Sequence, residues 1–392
     1  MPKRSITEAD VRGKRALVRV DFNVPLRDGE VADDTRIRAA LPTIQLLLER
    51  GAAVVLATHL GRPKGKANPA YSVAPVARRL SELLGRPVAT VSAVVGPEAE
   101  RVASALRPGD ILLLENTRFE LGEESNDPGL AAKLAQLGDL FVNDAFGAAH
   151  RAHTSTVGVA NLLPSYAGLL LQREETALSR LLFDPEQPFI AVLGGAKVSD
   201  KFAVLEHLLG RVDALLLGGG MANTLLLAQG HQTGSSLSEP DRVEEARRLV
   251  DSAEERGVHI DIPTDVVIAR SLDSTTAQVV PVDTIPADQA IFDIGPETVA
   301  RYCRQIASAR TVFWNGPMGV FERGPFANGT LGIARCVADA TAYTVVGGGD
   351  SLAAIDAAGV AEHIGHISTG GGASLEYLEG RVLPGIAVIP DA

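Results

Sequence analysis

Short apolar runs alternate along the chain with stretches in which apolar residues recur every three or four positions. Runs at 16–20, 54–57, 111–114 and 140–142 predict buried strands. Polar residues follow each one. Asp21-Phe22-Asn23 comes after the first, and Thr58-His59-Leu60-Gly61-Arg62-Pro63 after the second. Glu115-Asn116-Thr117-Arg118 follows the third. Asn143-Asp144-Ala145-Phe146-Gly147, then His150-Arg151-Ala152-His153, follow the fourth. Helical periodicity lies between the strands, as over 73–84, where Gly85 supplies the stop. In the second half, runs at 190–193, 213–217, 311–314, 343–346 and 366–369 enter glycine-rich turns. Strands alternating with helices predict mostly parallel, doubly wound sheets. Ligands of such sheets sit beyond the carboxyl ends of strands, where these polar and glycine residues fall.

Residues 164–188 separate the halves, and 166–183 reads as one helix. It is either an ordinary surface helix or a strut about which two lobes move. The expected organisation is an N-terminal domain over 1–168, a hinge helix over 169–187 and a C-terminal domain over 188–375. A length of 392 residues suits two domains. Hydrophobic content of 46% supports sizeable cores, and aromatic content of only 4% leaves Ala, Val and Leu to fill them. No apolar segment follows the N-terminal charges and no run approaches a membrane span, so neither a signal peptide nor a span is expected. Cys303 and Cys336 have no metal-type spacing and no disulfide is expected, which suits a reduced, cytoplasmic protein.

A net charge of −11 argues against nonspecific nucleic-acid binding. The charge is uneven. Residues 1–168 hold 21 Lys and Arg against 19 Asp and Glu, a net of +2, and residues 169–392 hold 16 against 29, a net of −13. The first half suits a small, highly charged anion. The second must hold phosphate with a few placed cations and backbone amides.

Ile190 to Lys201 concentrates that chemistry. The apolar run, the Gly194-Gly195 turn and a helix from Ala196 to Leu209 would put Lys197 and Lys201 on one face near the positive helix end. Two cations there repel each other unless an anion lies between them. The spacing is not a Walker A loop. Arg36 sits in the first turn of a predicted helix, where a cation is unfavourable unless it faces an anion. Taken singly, Arg36, Arg62, Arg118 and Arg151 each read as a solvated surface arginine. Together with His59, all follow strand ends or open a helix. His150 and His153 are either structural or part of the site. A third glycine is missing after Gly218 and Gly220, which weakens a dinucleotide fingerprint.

Eight segments taken together resemble the phosphoglycerate kinase family. They are Asp-Phe-Asn-Val-Pro-Leu (21–26), His-Leu-Gly-Arg-Pro (59–63), Glu-Asn-Thr-Arg-Phe (115–119) and Asn-Asp-Ala-Phe-Gly with His-Arg-Ala-His (143–153). The others are Gly-Gly-Ala-Lys-Val-Ser-Asp-Lys (194–201), Asn-Gly-Pro-Met-Gly-Val-Phe-Glu (315–322), Gly-Gly-Gly-Asp-Ser (347–351) and Ser-Thr-Gly-Gly-Gly-Ala-Ser (368–374). The resemblance implies two Rossmann-like lobes, with a C-terminal tail from about 376 packing back on the first. It implies that 3-phosphoglycerate or 1,3-bisphosphoglycerate binds at Asp21, Phe22, Asn23, Arg36, His59, Leu60, Gly61, Arg62, Arg118 and Arg151. ADP or ATP would bind at Lys201, Ile291, Asn315, Glu322, Gly348, Gly349 and Ser351, and Mg2+ at Asp350. Transfer would rest on Arg36, Lys197, Lys201 and the amides of Gly370, Gly371 and Gly372. The implied protein is a monomeric cytoplasmic glycolytic kinase with no nucleic-acid or membrane partner. A nicotinamide-linked dehydrogenase and a non-catalytic anion-binding protein are the competing readings on such a fold.

Overall fold

The computed structural model describes residues 2–392 and divides into two compact units. One comprises residues up to Thr176 with Arg381–Ala392, and the other Ala177–Gly380.

The first unit contains β1 (Arg15–Val20), the hairpin β2 (Leu26–Arg27) and β3 (Glu30–Val31), β4 (Ala53–Ala57), β5 (Ala89–Thr90), β6 (Ile111–Leu113), β7 (Leu140–Asp144) and β8 (Ser165–Ala167). Six of these form a sheet in the order β5-β6-β4-β1-β7-β8, with every pair parallel. Its helices are α1 (Thr35–Glu49), α2 (Ala74–Leu84), α3 (Pro97–Ala105) and α4 (Pro128–Ala135). Alternate strand residues feed two cores. Ala16, Val18 and Val54 pack on the face covered by Ile37, Ile44 and Leu47 of α1, while Leu17, Val55 and Phe141 pack on the other. Burial on both faces explains why these strands read as unbroken apolar runs. Gly85 ends α2 in the left-handed conformation, as its position in the sequence predicts. The tail binds here through Asn143 Nδ2, which donates to Gly385 O at 2.8 Å, and Gly385 N, which donates to Ala149 O at 2.8 Å.

Helix α5 (Leu169–Phe183) starts three residues later than the periodicity predicts, because Tyr166 lies in β8. Asp144 Oδ1 accepts from the Leu170 and Leu171 amides, and Thr43 Oγ1 from Leu169 N, so the first turn is held by side chains from other elements.

The second unit contains β9 (Phe189–Leu193), β10 (Ala214–Leu217), β11 (His259–Asp261), β12 (Asp265–Ala269), β13 (Gln278–Pro281), β14 (Ala290–Ile294), β15 (Thr311–Asn315), β16 (Tyr343–Gly347) and β17 (His366–Ser368). Its helices are α6 (Phe202–Leu208), α7 (Gly219–Ala228), α8 (Val243–Glu255), α9 (Pro296–Ser308), α10 (Asn328–Asp339), α11 (Gly349–Ala358) and α12 (Gly372–Leu378). The parallel sheet runs β11-β10-β9-β15-β16-β17. The chain moves outward from β9 on one side, then returns to β15 on the other, so the strand order reverses between β9 and β15. Ligands of doubly wound sheets bind at such a reversal.

Three expectations need correction. The second unit also carries an antiparallel sheet, β13-β12-β14, which the alternation of strands and helices does not predict. Cys303 on α9 and Cys336 on α10 form a disulfide, because the two helices pack side by side and bring the Cα atoms to 5.4 Å. Helix α6 begins at Phe202 rather than Ala196, so Lys197 and Lys201 do not share a helix face. Segment 196–201 is instead a loop pinned by Glu239, which accepts from Ser199 N at 2.9 Å and Ser199 Oγ at 2.5 Å, and by the fully buried Val198. Among the described residues no helix is long and apolar enough to cross a membrane.

Candidate active site

In the first unit, side chains from four strand ends meet in a basic cup. Asp21 and Asn23 follow β1. Arg36 Nη1, from the first turn of α1, donates to Asp21 Oδ2 and Asn23 O, both at 3.2 Å. The loop after β4 carries His59, Gly61 and Arg62, and Asn23 Oδ1 accepts from Gly61 N at 2.9 Å. Arg118 follows β6 and donates to Gly61 O at 2.8 Å, with Glu124 at 3.2 Å from its Nε. Asn116 holds the two loops together, accepting from Leu60 N and Arg118 N while donating to Leu60 O and Tyr71 O. Arg151, after β7, donates to His150 Nε2 at 3.2 Å.

The charges reinforce one another. Burial holds His59 well below its usual pKa, and Arg19, Arg118, Arg36 and His153 push it further the same way. His153 falls to about 4 through burial and then Arg118, Arg19, Arg151 and His150. Both rings are therefore neutral at pH 7, and the permanent charge of the cup is guanidinium. Arg36 keeps 33% of its side chain exposed, while Arg62 and Arg151 are open to solvent. Phe22 and Leu60 differ, since both side chains lie in the core. Their amides are engaged as well, Phe22 N on Thr58 Oγ1 and Leu60 N on Asn116 Oδ1. These two residues shape the loops.

In the second unit, two cavities open at the reversal between β9 and β15. The smaller, about 230 Å³, is lined by Gly195–Lys197, Asp200, Lys201, Asn315–Pro317 and Gly348–Asp350. The larger, about 630 Å³, shares Gly195, Ala196, Pro317 and Asp350 and extends past Gly219, Gly220, Leu237, Leu272, Ile291, Met318 and Glu322. The apolar wall suits a planar ring, and the polar end suits phosphates.

Lys201 occupies the polar end. Its Nζ donates to Gly194 O at 2.6 Å, Asn315 O at 2.8 Å and Asn315 Oδ1 at 2.6 Å. Burial lowers its pKa to about 8, and Asp350 and Asp200 only partly offset this. The Asn315 amide thus turns its oxygen to Lys201. Its Nδ2 is buried and has no partner, and lies beside Gly348. A buried donor without an acceptor costs roughly 1–3 kcal/mol, so an anion in the small cavity would relieve it. Asp350 is exposed in the first turn of α11. Ser351, by contrast, is fully buried and its Oγ accepts from Gly316 N at 2.6 Å, so it holds the loop. Gly370–Gly372 follow β17, the neighbour of β16, and line neither cavity.

Close approach of main chain requires glycine at several positions here, Gly316 and Gly220 among them. Gly316 has φ +93°, and a Cβ there would lie 2.3 Å from Gly194 O. A Cβ at Gly220 would lie 2.1 Å from Ala196 O. Sequence reasoning did not find Arg19, Glu123 and Ser155 beneath the cup. A charged residue inside an apolar strand run, at Arg19, was the available signal.

The family model for phosphoglycerate kinase matches residues 6–381. A phosphoglycerate kinase of Chloroflexus aurantiacus is 59% identical over 399 residues, covering all of both chains. One of Thermomicrobium roseum is 58% identical over 387 residues, covering 98% of this chain and 99% of the other. The structure of the Coxiella burnetii phosphoglycerate kinase superposes with a TM-score of 0.89 at 44% identity, over 99% of this chain and 98% of that one. The Pyrococcus horikoshii enzyme gives 0.88 at 35%, over 98% of each. A family match across nearly the whole chain, on a fold whose two units each gather anion-binding groups at strand ends, establishes that this chain belongs to the phosphoglycerate kinase family.

Proposed function

We propose that the protein moves a phosphoryl group reversibly between 1,3-bisphosphoglycerate and ADP, giving 3-phosphoglycerate and ATP, as a cytoplasmic, monomeric glycolytic enzyme. The observation that carries this reading is the pairing, in one chain of this family, of a guanidinium cup with a glycine-walled cavity holding Lys201. The cup takes the phosphoglycerate through Asp21, Asn23, Arg36, His59, Arg62, Arg118 and Arg151. The cavities take the nucleotide, with Ile291 and Glu322 along the larger and Lys201, Asn315, Gly348 and Gly349 along the phosphates.

Neither direction needs a general base. An ADP phosphate oxygen attacks the acyl phosphate in one direction, and an ionised carboxylate attacks ATP in the other. The low pKa values of His59 and His153 fit that requirement, since neither has to carry a proton away. What transfer needs is in-line placement and positive charge around the moving group. Arg36 supplies charge from the cup. Lys201 supplies it from the cavity by exchanging one of its three acceptors for a phosphate oxygen. Lys197, exposed on the loop, adds a cation, and we assign the amides of Gly371 and Gly372 to the transferring group although they line neither cavity; Gly370 N already donates to Ser368 Oγ at 3.3 Å. Reactants bound on separate units must be brought together, so we assign transfer to a closed state that excludes water, with α5 as the hinge.

Asp350 is the residue we assign to Mg2+, with Asp200 on the same cavity wall. Among the described residues no cluster of three or more His, Cys, Asp or Glu is arranged to hold a metal. One or two carboxylates with substrate phosphates and waters is the usual setting for Mg2+. The ion supplies positive charge to the phosphate oxygens.

A coupled assay from ATP and 3-phosphoglycerate tests the proposal. Turnover that requires both substrates and magnesium is expected, and absence of transfer in active-folded protein would overturn it. The Cys303–Cys336 bond pulls against a cytoplasmic site, and thiol titration of protein taken directly from cells decides between the two.

A further inference from the structure

Beneath the cup lies a buried chain of polar groups for which the proposed mechanism has no use. Arg19 points from β1 into the first unit and is 1% exposed. Each of its three nitrogens is engaged. Nε donates to Ser155 Oγ at 2.7 Å, Nη1 to Val20 O, and Nη2 to His59 Nδ1 at 3.0 Å. Ser155 is fixed from behind by the fully buried Glu123. Glu123 Oε1 accepts from Ser155 Oγ at 2.5 Å and Oε2 accepts from Ser155 N at 3.0 Å. With its hydroxyl proton committed to Glu123, Ser155 turns a lone pair to Arg19. The buried guanidinium and the buried carboxylate are thus linked through one serine, which compensates two charges that neither could carry alone at this depth.

This chain has a consequence for His59. A guanidinium only donates, so the ring nitrogen it meets must accept. Nδ1 of His59 therefore carries the lone pair, and in the neutral ring the proton sits on Nε2. An imidazolium would set N–H against N–H at 3.0 Å, and Asp21 Oδ1, 3.9 Å from the same nitrogen, is too far to accept that proton in a hydrogen bond. We infer that Arg19 is a positioning residue that fixes His59 as the Nε2–H tautomer, so that the ring offers the cup a hydrogen-bond donor without carrying charge. Its use toward phosphoglycerate rests on the proposed reading of the cup. The tautomer itself does not. The arrangement gives the cup a neutral donor amid several guanidinium groups, where a further cation would add repulsion before any ligand arrives.

The test is ring-nitrogen NMR on protein with 15N-labelled histidine, without ligand. The chain has eight histidines, and loss of one signal set in His59→Gln assigns the residue. The wild type is expected to show His59 with a protonated Nε2 and an unprotonated Nδ1, unchanged from pH 6 to 8. In Arg19→Gln, whose amide can either donate to Nδ1 or accept from it, the ring should populate both tautomers or become protonated. The KM for 3-phosphoglycerate should rise about tenfold, the loss of one hydrogen bond to a charged group, while the KM for ATP stays put. Should Arg19→Gln fail to fold, Ser155→Ala removes the acceptor for Arg19 Nε and leaves both charges in place, and a partial loss of tautomer order is expected. A protonated Nδ1 in the wild type, or a tautomer indifferent to both variants, overturns the inference. Adding 3-phosphoglycerate should then shift the Nε2–H signal. Failure of that step alone would overturn the reading of the cup and leave the tautomer assignment standing.

Discussion

In the first unit the candidate anion-binding groups are side-chain ends held by neighbouring side chains and carbonyls, whereas on the shelf formed by the second unit's two cavities they are one lysine and the glycine-rich loops around it. The cup spends arginines. Each is fastened before a ligand arrives, Arg36 by Asp21 and Asn23 O, and Arg118 by Gly61 O and Glu124. The shelf spends glycines. Gly316 and Gly220 let backbone segments approach more closely than any Cβ allows, and Lys201 is parked on three oxygens of the same loops. Fixed guanidinium groups suit the phosphate that the proposed reaction leaves in place on the phosphoglycerate. A lysine with a pKa near 8, held by exchangeable acceptors, suits a phosphate chain that gains and loses a group. The two halves of the sequence also differ in net charge, +2 over residues 1–168 against −13 over 169–392, so an anion approaching the second half meets more repulsion.

The contrast can be broken in order of expected effect. Arg36→Ala should lower turnover by about a thousandfold with far smaller changes in either KM, as for an arginine acting on the transferring group. Equal losses in turnover and affinity, measured by steady-state kinetics, would reassign Arg36 to simple binding. Lys201→Ala should cost about a hundredfold in turnover, comparable to removing one donor from a preorganised anion site, with an unchanged circular dichroism spectrum. A variant of normal rate would leave the shelf without its cation.

Gly316→Ala should destabilise the second unit by about 2–4 kcal/mol, because a positive φ and a main-chain clash act together. It should also change the fluorescence of Trp314, whose Nε1 donates to Gly316 O at 2.8 Å. Denaturant unfolding followed by that single tryptophan reads both.

The pH dependences should diverge as well. Lys201 acts as the ammonium, and its pKa lies at about 8, so the rate constant kcat/KM for ATP should fall as pH rises from 7 to 9. The KM for 3-phosphoglycerate should stay flat over that range, since His59 and His153 are already neutral. Lys201→Arg should remove the fall. Asp293 gives a smaller, structural effect. Burial raises its pKa to about 7, against the amides of Gly329 and Ile294 that favour its charge. A carboxyl whose folded pKa exceeds the unfolded value stabilises fully below about pH 4, and that contribution is lost as pH rises through about 7. Urea unfolding should therefore show a loss of about 2–3 kcal/mol between pH 5 and 8 that Asp293→Asn lacks. A wild-type profile parallel to that of the variant would mean Asp293 is already ionised at pH 5.

The sequence made the parallel sheets legible because both faces of each are buried, leaving strands such as 54–57 and 190–193 without a polar residue. It made the rims legible because polar residues and glycines cluster where those runs stop. It hid what depends on contacts between distant segments. Nothing local in 196–201 says that Glu239 will pin Ser199 and delay helix α6, and a helix period fits that stretch equally well. Cys303 and Cys336 are separated by 33 positions, and only the packing of α9 on α10 brings them together. Strands β12 and β14 are as long as their parallel counterparts, and nothing local in 265–294 marks their pairing as antiparallel. Among the cup residues, Phe22 and Leu60 sit inside the motifs for packing, while Arg19, outside every motif, supports His59 from below.

The measurement closest to the centre of this account is the stereochemical course at phosphorus, using ATP made chiral at the γ-phosphoryl group with 3-phosphoglycerate as acceptor. Direct in-line transfer between a ligand in the cup and one on the shelf, with no protein nucleophile, predicts inversion. Retention would require a phosphorylated protein intermediate and would contradict the assignment of positioning and charge as the whole of what these residues do.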